Sequence, residues 1–564
     1  MDVVVYQVMD RLLMTLDLMT DKFFWRSQGM EIAGEERLPS IGQAYRRLGE
    51  QVNSPFRVEM ILTEEIEEWG EREPQIYRLE RRAQKLQEWM VGRSLLWPEV
   101  SRLVQYHRGE AVSEQALRAT IQWLYLTGRV ELLPGVAISP VASHRRCHRC
   151  GGGPTGIDLV ECARCGGPCA LCESCVMLGG SRTCLPLVRT SLLLQKREKI
   201  KPPLLFTPTL TSAQMDASNA CLQWLIGNKS ELLVWAVTGS GKTEMLFPTL
   251  QHVIASGGVV LWTAPRRDVI KELSHRLRQA FPEVKQVTLH GESQEVWHDG
   301  QLYIATVHQL IRFYHYFDLV VVDEADAWPL YGVDRLESAL VRATAIHGKK
   351  IAVTATPAKP WRRRIKAGNL PVVTLPARYH GYPLPVPRLI WQRNLWRILK
   401  KGKPLPDLEC FLNRVHQTKG QAFLFVPRVS DIKILLTWLK KVLAANMFTR
   451  CKAVSGREGE RGKRIEEFRQ GKIWLLVTTT ILERGITVPR CHVGVIGADH
   501  PIFDVASLVQ IAGRVGRSAS YRAGEVCFFS SLRTDVQRDT IREINGCNRL
   551  AKERGYIVER EKKL

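Results

Sequence analysis

Residues 236–243 read Ala236-Val237-Thr238-Gly239-Ser240-Gly241-Lys242-Thr243, and this octet decides the fold. The apolar run Leu232-Leu233-Val234-Trp235 before it predicts a buried strand, and a helix-like stretch follows from Glu244. Strand, glycine-bearing loop, Gly-Lys-Thr and helix make a phosphate-binding loop, because glycine lets successive backbone N–H groups turn toward one anion. The helix N-terminus adds partial positive charge. In this reading Thr238, Gly239, Ser240 and Gly241 cradle the phosphates of ATP. Lys242 neutralises the β- and γ-phosphates, and Thr243 holds Mg2+ through its hydroxyl. Ala236 stands where the strict pattern has glycine; the strand context and the carboxylates downstream outweigh that departure.

Those carboxylates end a second apolar run, Leu319-Val320-Val321-Val322-Asp323-Glu324-Ala325-Asp326. Asp323 is expected to hold Mg2+ through water, and Glu324 to orient and polarise the attacking water. Between and beyond these anchors apolar runs alternate with helical stretches, which predicts a parallel sheet. The strand ends at Arg266-Arg267 and within Tyr303–Leu310 lie on one edge of that sheet and could line a groove for a nucleic-acid backbone. The run Ile351-Ala352-Val353-Thr354-Ala355-Thr356 ends in hydroxyls suited to couple phosphate state to that groove.

After a Pro-rich, basic connector a second lobe begins near residue 395, with Gln421–Pro427 as its first buried strand. Trp474-Leu475-Leu476-Val477-Thr478 is strand, followed by a polar loop through Leu482-Glu483-Arg484-Gly485. Gln510-Ile511-Ala512-Gly513-Arg514-Val515-Gly516-Arg517 completes the set. Arg514 and Arg517 stand three apart, so one helical turn would point both across the cleft as arginine fingers.

The chain has 564 residues, too many for one core, so about three or four domains are expected. Lysine and arginine exceed aspartate and glutamate by 23, an excess that attracts polyanions such as nucleic acid, or equally leaves a solvated basic surface. No basic, apolar and cleavage-site succession opens the sequence, and no apolar stretch approaches the ~20 residues that span a bilayer. An intracellular, soluble protein is expected.

Of 14 cysteines, eight fall between Cys147 and Cys184. Cys147 and Cys150 form one knuckle, and Cys162 and Cys165 another; Cys169, Cys172, Cys175 and Cys184 follow. Such spacing lets two thiolates from one tight turn reach one tetrahedral Zn2+ ion. A closed four-thiolate shell leaves no open position, so the metal is expected to be structural. One arrangement is crossed, joining Cys147/Cys150 with Cys172/Cys175 and Cys162/Cys165 with Cys169/Cys184, but sequence leaves the pairing open. Arg145, Arg146, Arg149 and Arg164 decorate the knuckles, either to meet phosphates or as a solvated rim.

Residues 1–140 read as mainly helical, with helical periodicity over 3–16 and over 64–89, where the acidic run 64–69 lies. Two helices and a hairpin over 130–138 give the 92–140 stretch a winged-helix order. The second helix carries little positive charge, which favours a scaffold for residues 141–190 over DNA contact. A basic linker with Lys196, Arg197, Lys199 and Lys201 leads into the 205–375 lobe; 376–394 connects it to the 395–535 lobe. A basic helix with Arg542, Arg549, Lys562 and Lys563 closes the chain over 536–564.

The ordered set from Lys242 to Arg517 resembles the superfamily 2 DEAD/DEAH-type helicases and translocases over residues 205–535. The resemblance implies an α/β fold with two RecA-like lobes. It assigns Gln214 to the adenine edge and Gln510 to the nucleotide site. Within that superfamily, the cysteine cluster before the motor and Pro376-Ala377-Arg378-Tyr379-His380-Gly381-Tyr382-Pro383-Leu384-Pro385-Val386-Pro387 resemble the ComFA family of late competence proteins. That likeness runs from Cys147 onward. It implies an ATP-driven single-stranded DNA translocase at the cytoplasmic face of the membrane, drawing transforming DNA in through the ComEC channel with ComFC and DprA as partners. Attachment to the membrane would be peripheral, and self-association is compatible with it. That family's zinc site is described with four cysteines, so eight leave the metal count open. A PriA-type primosomal helicase is the next reading, but its cysteines interrupt the second lobe. An RNA helicase fits Asp323-Glu324-Ala325-Asp326 but has histidine where Gln510 stands. A non-enzymatic zinc adaptor with a degenerate NTPase fold is opposed by the intact Lys242, Thr243, Asp323, Glu324, Gln510, Arg514 and Arg517.

Overall fold

The computed structural model of the chain describes residues 2–49, 73–138, 145–190, 209–326, 334–455, 460–480, 488–518, 521 and 524–557. The acidic run 64–69, the basic linker with Lys196 to Lys201, the loop through Leu482 and Arg484, and the terminal Lys562 and Lys563 lie outside the described residues. The chain divides into two compact units. One comprises Met1–Pro203, Val253–Val321 and Ala327–Lys350; the other comprises Leu204–His252, Val322–Asp326 and Ile351–Leu564.

The first unit begins with strands where a helix is expected. Residues 3–16 are not helical: Val3–Val8 and Arg11–Thr15 are antiparallel strands, and Ala33–Leu38 completes a three-stranded sheet with Val3–Val8 in the middle. Val3-Val4-Val5 is a β-branched run that packs better on a pleated surface than on a helix, and Met9, in the left-handed region at φ 51°, reverses the chain. Helices Leu18–Ser27, Ile41–Leu48, Glu73–Met90, Trp97–Arg108 and Glu114–Leu126 follow. Ser113 caps the last of these, accepting from the Ala116 N–H at 3.2 Å. Phe24, Trp25, Leu86, Leu103, Ile121 and Leu124 share one core with the strands. Inside it Asp21 is fully buried and accepts from Tyr6 at 2.5 Å, from Gln122 at 3.0 Å, and from the Thr15 hydroxyl. Burial pushes this carboxyl up to about 7, against the three hydrogen bonds that pull it down.

Nor do residues 130–138 form a hairpin. Val130–Pro134 pairs with Pro186–Thr190, which lies between it and Ser94–Leu96, whereas Val136–Ile138 pairs with Arg145–Cys147. Pro134 has no N–H to carry a ladder onward. The N–H of the next residue, Gly135, goes to the Leu185 carbonyl at 2.8 Å. The winged-helix shape is therefore absent. The cysteine-rich residues are an excursion between two strands of one sheet, and they carry their own antiparallel sheet of Ile157–Cys162, Gly167–Cys172 and Ser181–Arg182. Also in this unit, Gln286–Leu289, Leu302–Thr306 and Val260–Ala264 are parallel neighbours, followed in the sheet by Phe317–Val322, all but its last residue in this unit, and by the first part of Thr344–Thr354. Their near-continuous burial is what helices on both faces of a parallel sheet require.

In the second unit Glu231–Ala236 lies between the end of Thr344–Thr354 and its parallel partner Val372–Leu375. A six-stranded parallel sheet follows in the order Arg388–Trp391, Val526–Ser530, Cys491–Ile496, Gln421–Phe425, Leu475–Thr478 and Cys451–Val454. The helices pack its two faces into two cores, one around Phe423, Val493 and Ile511, the other around Leu424, Trp438 and Phe529. The architecture is α/β with two RecA-like lobes. Helix Asp535–Glu553 returns to dock through Arg362 and Glu543, whose two bonds measure 2.8 and 2.7 Å. Among its surface charges Arg538, Arg542 and Arg549 meet acidic neighbours on the same helix, so this face is less basic than its arginines suggest. Among the described residues no helix is long and apolar enough to cross a membrane.

Candidate functional site

The loop after Glu231–Ala236 turns on Gly239 and Gly241, both in the left-handed region at φ 77° and 72°. The helix expected from Glu244 starts as a 3-10 turn, Glu244–Leu246, and becomes α-helical at Phe247–Ala255. Thr243 is buried at the start of that turn. Lys242 and Asp323 form an ion pair, so the ammonium and carboxylate expected to share a nucleotide's phosphates and Mg2+ converge at one point. Glu324 donates its N–H to Asp323 Oδ1 at 2.8 Å and holds φ at 50°, a left-handed conformation that a long side chain adopts at a cost of roughly 1 kcal/mol or more. Such strain persists only where neighbours enforce it.

Gln214 ties the helix Ser212–Ile226 to this loop. Its Oε1 accepts from the Thr211 N–H at 2.9 Å in a capping box, and its Nε2 donates to the Ser240 carbonyl at 2.9 Å. A Cβ on Gly241 would fall 2.2 Å from that Nε2, so a side chain there would push the Gln214 amide off the Ser240 carbonyl. Both ends of the Gln214 amide are thus engaged within the protein; a bond to adenine would be made in exchange for one of these.

Asp326 has a role that sequence reasoning misses. Thr354 and Thr356 both donate their hydroxyls to its carboxylate at 2.7 Å. The turn after Phe317–Val322, which carries Asp323 and Glu324, is thereby joined to the end of Thr344–Thr354 and to Thr356 just beyond it. The signal is present, since Asp326 follows Asp323 by three residues, but its partners lie 28 and 30 residues on.

Arg514 and Arg517 do not share a helical turn. Helix Val505–Ala512 ends at Gly513, and residues 513–516 form a turn beyond it. That turn buries Arg514 over the Phe423 ring at 5.4 Å and leaves Arg517 half-buried. The Arg517 Nε donates to the Gly513 carbonyl at 3.0 Å, and its Cγ would lie 3.7 Å from a Cβ on Gly239. Gln510 is buried in the helix just before. The backbone of Gly513 sits so close to Thr238 that a Cβ there would clash with Oγ1 at 1.9 Å.

The segment between the lobes brackets this meeting. The Tyr379 N–H bonds the Gly239 carbonyl at 3.2 Å. Arg378 donates to the carbonyls of Val515 and Gly516 at 2.7 Å each and of Gly513 at 3.2 Å, and a His380 ring nitrogen lies 2.9 Å from Gly516 O. Arg378 is 3% exposed, and burial, then Arg517, brings its guanidinium down to about 9. No periodicity marks Arg378 in the sequence.

In the first unit the sulfur atoms fall into two groups: Cys147, Cys150, Cys172 and Cys175, and Cys162, Cys165, Cys169 and Cys184. Within each the four sulfurs lie within 4.8 Å of one another, and all eight thiols are free. These are the sets of the crossed arrangement. A tetrahedron with metal–sulfur bonds of about 2.3 Å has edges of about 3.8 Å. The separations Cys147–Cys175 of 3.8 Å, Cys150–Cys172 of 3.6 Å, Cys162–Cys184 of 3.9 Å and Cys169–Cys184 of 3.8 Å fit that figure. Zn2+ therefore fits both groups. Arg189 and Arg342 donate to the His148 carbonyl beside the first group, placing cations near its thiolates. Arg149 is neither a phosphate contact nor a solvated rim: it is buried against Glu99 at 2.6 Å, and Glu99 also accepts from Arg312 at 2.9 Å. Arg146 and Arg164 remain exposed and Arg145 half-buried.

Three family descriptions match the chain: competence protein ComFA N-terminal domain over residues 79–189, type III restriction enzyme res subunit over 207–359, and helicase conserved C-terminal domain over 404–519. The chain is 36% identical to the competence protein ComFA of Bacillus subtilis (strain 168) over 434 residues, covering 76% of this chain and 91% of that protein. It is 36% identical to the competence protein ComFA of Streptococcus pneumoniae (strain ATCC BAA-255 / R6) over 342 residues, covering 61% of this chain and 78% of that protein. Among solved structures, S. cerevisiae Dbp5 bound to RNA and ADP BeF3 is similar with a TM-score of 0.43 and 17% identity, over 60% of this chain and 92% of that one.

Proposed function

The chain belongs to the ComFA family of competence proteins, and from that premise we propose that it is an ATP-driven motor that moves along single-stranded DNA and helps draw transforming DNA across the cytoplasmic membrane. Its helicase domains place it among ATP-dependent superfamily 2 helicases. In the proposed cycle the N–H groups of Thr238, Gly239, Ser240 and Gly241 receive the phosphates and Lys242 neutralises them. Thr243 and Asp323 would hold Mg2+, which supplies positive charge to the β- and γ-phosphate oxygens when bound. Glu324 orients the attacking water and takes its proton. Arg517 stabilises charge on the γ-phosphate, while Arg514, packed on Phe423, holds the turn that presents it. Gln214 and Gln510 complete the nucleotide site.

Hydrolysis removes the γ-phosphate that Lys242 and Arg517 grip together. The Asp326 bonds to Thr354 and Thr356 carry that change to the strand end that faces DNA, so the grip on the strand alternates with phosphate state. The two cysteine groups hold structural Zn2+, since four thiolates close the shell. ComFC, DprA and the ComEC channel are the partners this reading names, with the protein at the cytoplasmic face of the membrane through them.

The observation that carries the reading is the convergence of Lys242, Asp323 and Arg517 on the loop that contains Gly239. The test is the ATPase rate without nucleic acid and with single-stranded DNA, forked duplex or RNA, beside Lys242→Ala. Stimulation by single-stranded DNA that vanishes in the variant supports the motor. Preference for forks or RNA moves the substrate, and equal rates in wild type and Lys242→Ala remove the ATP site.

A further inference from the structure

Helix Glu73–Met90, helix Trp97–Arg108 and the start of Glu114–Leu126 line a half-open pocket of about 470 Å3 in the first unit, outside the nucleotide site and the cysteine groups. That volume is in the range of ligand pockets that take a nucleotide-sized group. Arg78, Arg81, Arg82 and Lys85 line it. Their spacing of three, four and seven puts them on one face of the helix, over about 10 Å of axis. Among the described residues no carboxylate pairs with any of the four. Glu110, an acid on the wall, is already engaged by Arg108 at 2.9 Å.

The end of the cavity is aromatic. Trp89 and His107 stack with ring centroids 4.8 Å apart and planes 7° from parallel. The His107 Nε2 is buried and has no hydrogen-bond partner among the described residues. Burial lowers the affinity of this ring for a proton. An uncompensated row of cations leading to a stacked pair of flat rings is a combination that recognises a flexible polyanion bearing unpaired bases. A duplex offers the phosphates but keeps its bases stacked inside. An acidic peptide offers the charge and has no use for the ring pair.

We propose that this pocket binds single-stranded DNA, its phosphates on Arg78, Arg81, Arg82 and Lys85 and a base against Trp89 and His107, as a second contact with the strand besides the motor's own. The proposal rests on the translocase reading for the identity of the polymer. It adds a holding site that does not depend on ATP, so the strand stays attached while the motor changes its grip.

The experiment measures binding of a labelled oligothymidylate to the full-length protein without nucleotide, across a salt series. Wild type is compared with the combined change of Arg78, Arg81, Arg82 and Lys85 to alanine, and with Arg78, Arg81 and Arg82 changed to lysine. Each cation withdrawn from a phosphate should make the slope of log affinity against log salt shallower by about 0.7, and the alanine variant should bind about tenfold more weakly or worse at low salt. The lysine variant should keep the wild-type slope, which excludes misfolding as the cause. A strand carrying a photoreactive base should cross-link to a peptide containing Trp89 or His107. Unchanged affinity and slope in the alanine variant, or cross-links confined to the motor, would overturn the pocket. The translocase reading fails separately, if wild-type ATP turnover ignores single-stranded DNA.

Discussion

Arg378 donates a 2.7 Å hydrogen bond to the carbonyl of Gly516, one residue before Arg517. A buried guanidinium from the Pro-rich connector thus fixes the turn that presents the arginine to the phosphate loop. The neighbouring Tyr379 N–H holds the Gly239 carbonyl on the other side. One short segment therefore grips both the glycine loop at Gly239 and the turn at 513–516.

Arg378→Ala removes three bonds from a charged donor and leaves the carbonyls of Gly513, Val515 and Gly516 without them. We expect maximal DNA-stimulated ATP turnover to fall by about tenfold or more, with a stability loss of roughly 1–3 kcal/mol. Arg378→Lys should not rescue it, because a compact ammonium cannot fork to three acceptors. Steady-state ATPase assays with urea unfolding check this; wild-type turnover in Arg378→Ala would reduce the segment to a spacer.

Glu324→Gln keeps the side chain's size and removes its basicity. ATP should still bind, and turnover should fall by about 10²–10⁴-fold. Single-turnover kinetics with a filter-binding assay for retained ATP distinguishes this from Lys242→Ala, which should lose ATP binding itself.

The grouping of the sulfurs makes the two cysteine groups independent candidate metal sites. Cys150→Ser should lower zinc content from two ions per chain toward one, and Cys165→Ser should do the same from the other group. Combining them should remove nearly all of it. Metal analysis of freshly purified protein decides; an intact count in either single variant breaks the assignment for that group.

Asp21 gives the N-terminal core a pH dependence of known sign. Its folded value of about 7 lies above the ordinary 3.8. The folded protein therefore keeps the proton where the unfolded chain releases it. Its contribution to stability is full below about pH 4 and is lost as pH rises toward 7. Asp21→Asn, which can still accept from Tyr6 and Gln122, should flatten that decline. Hydrogen exchange of residues 3–15, corrected for intrinsic rates, reads the difference between the two proteins; parallel profiles would rule the effect out.

The parts legible in the sequence are those whose chemistry lies within a few residues. Lys242 and Thr243 follow their glycines directly, Asp323 and Glu324 end their strand, and each cysteine knuckle closes over two intervening residues. Where the answer depends on distant partners, the sequence is silent or misleading. The stretch from Val3 to Thr15 has apolar residues that fit a helix face as readily as two strands, and the reversal at Met9 and Asp10 is the only local cue. Val130–Pro134 finds its partner in Pro186–Thr190, more than 50 residues on, so a local hairpin is the natural but incorrect expectation. Arg149 reads as a surface arginine because Glu99, which buries it, is 50 positions away. Arg514 and Arg517 share the right spacing for one face of a helix, but Gly513 ends that helix first.

The position of Pro186–Thr190 as the middle strand between Ser94–Leu96 and Val130–Pro134 has a consequence for how this protein can be taken apart. The cysteine-rich stretch is not an interchangeable cassette strung between neighbours. Cutting the chain within it severs the covalent connection between Val130–Pro134 and that strand, its antiparallel neighbour. Both cysteine groups thus sit on a detour between paired strands, and a dissection that respects the architecture has its boundary after Thr190.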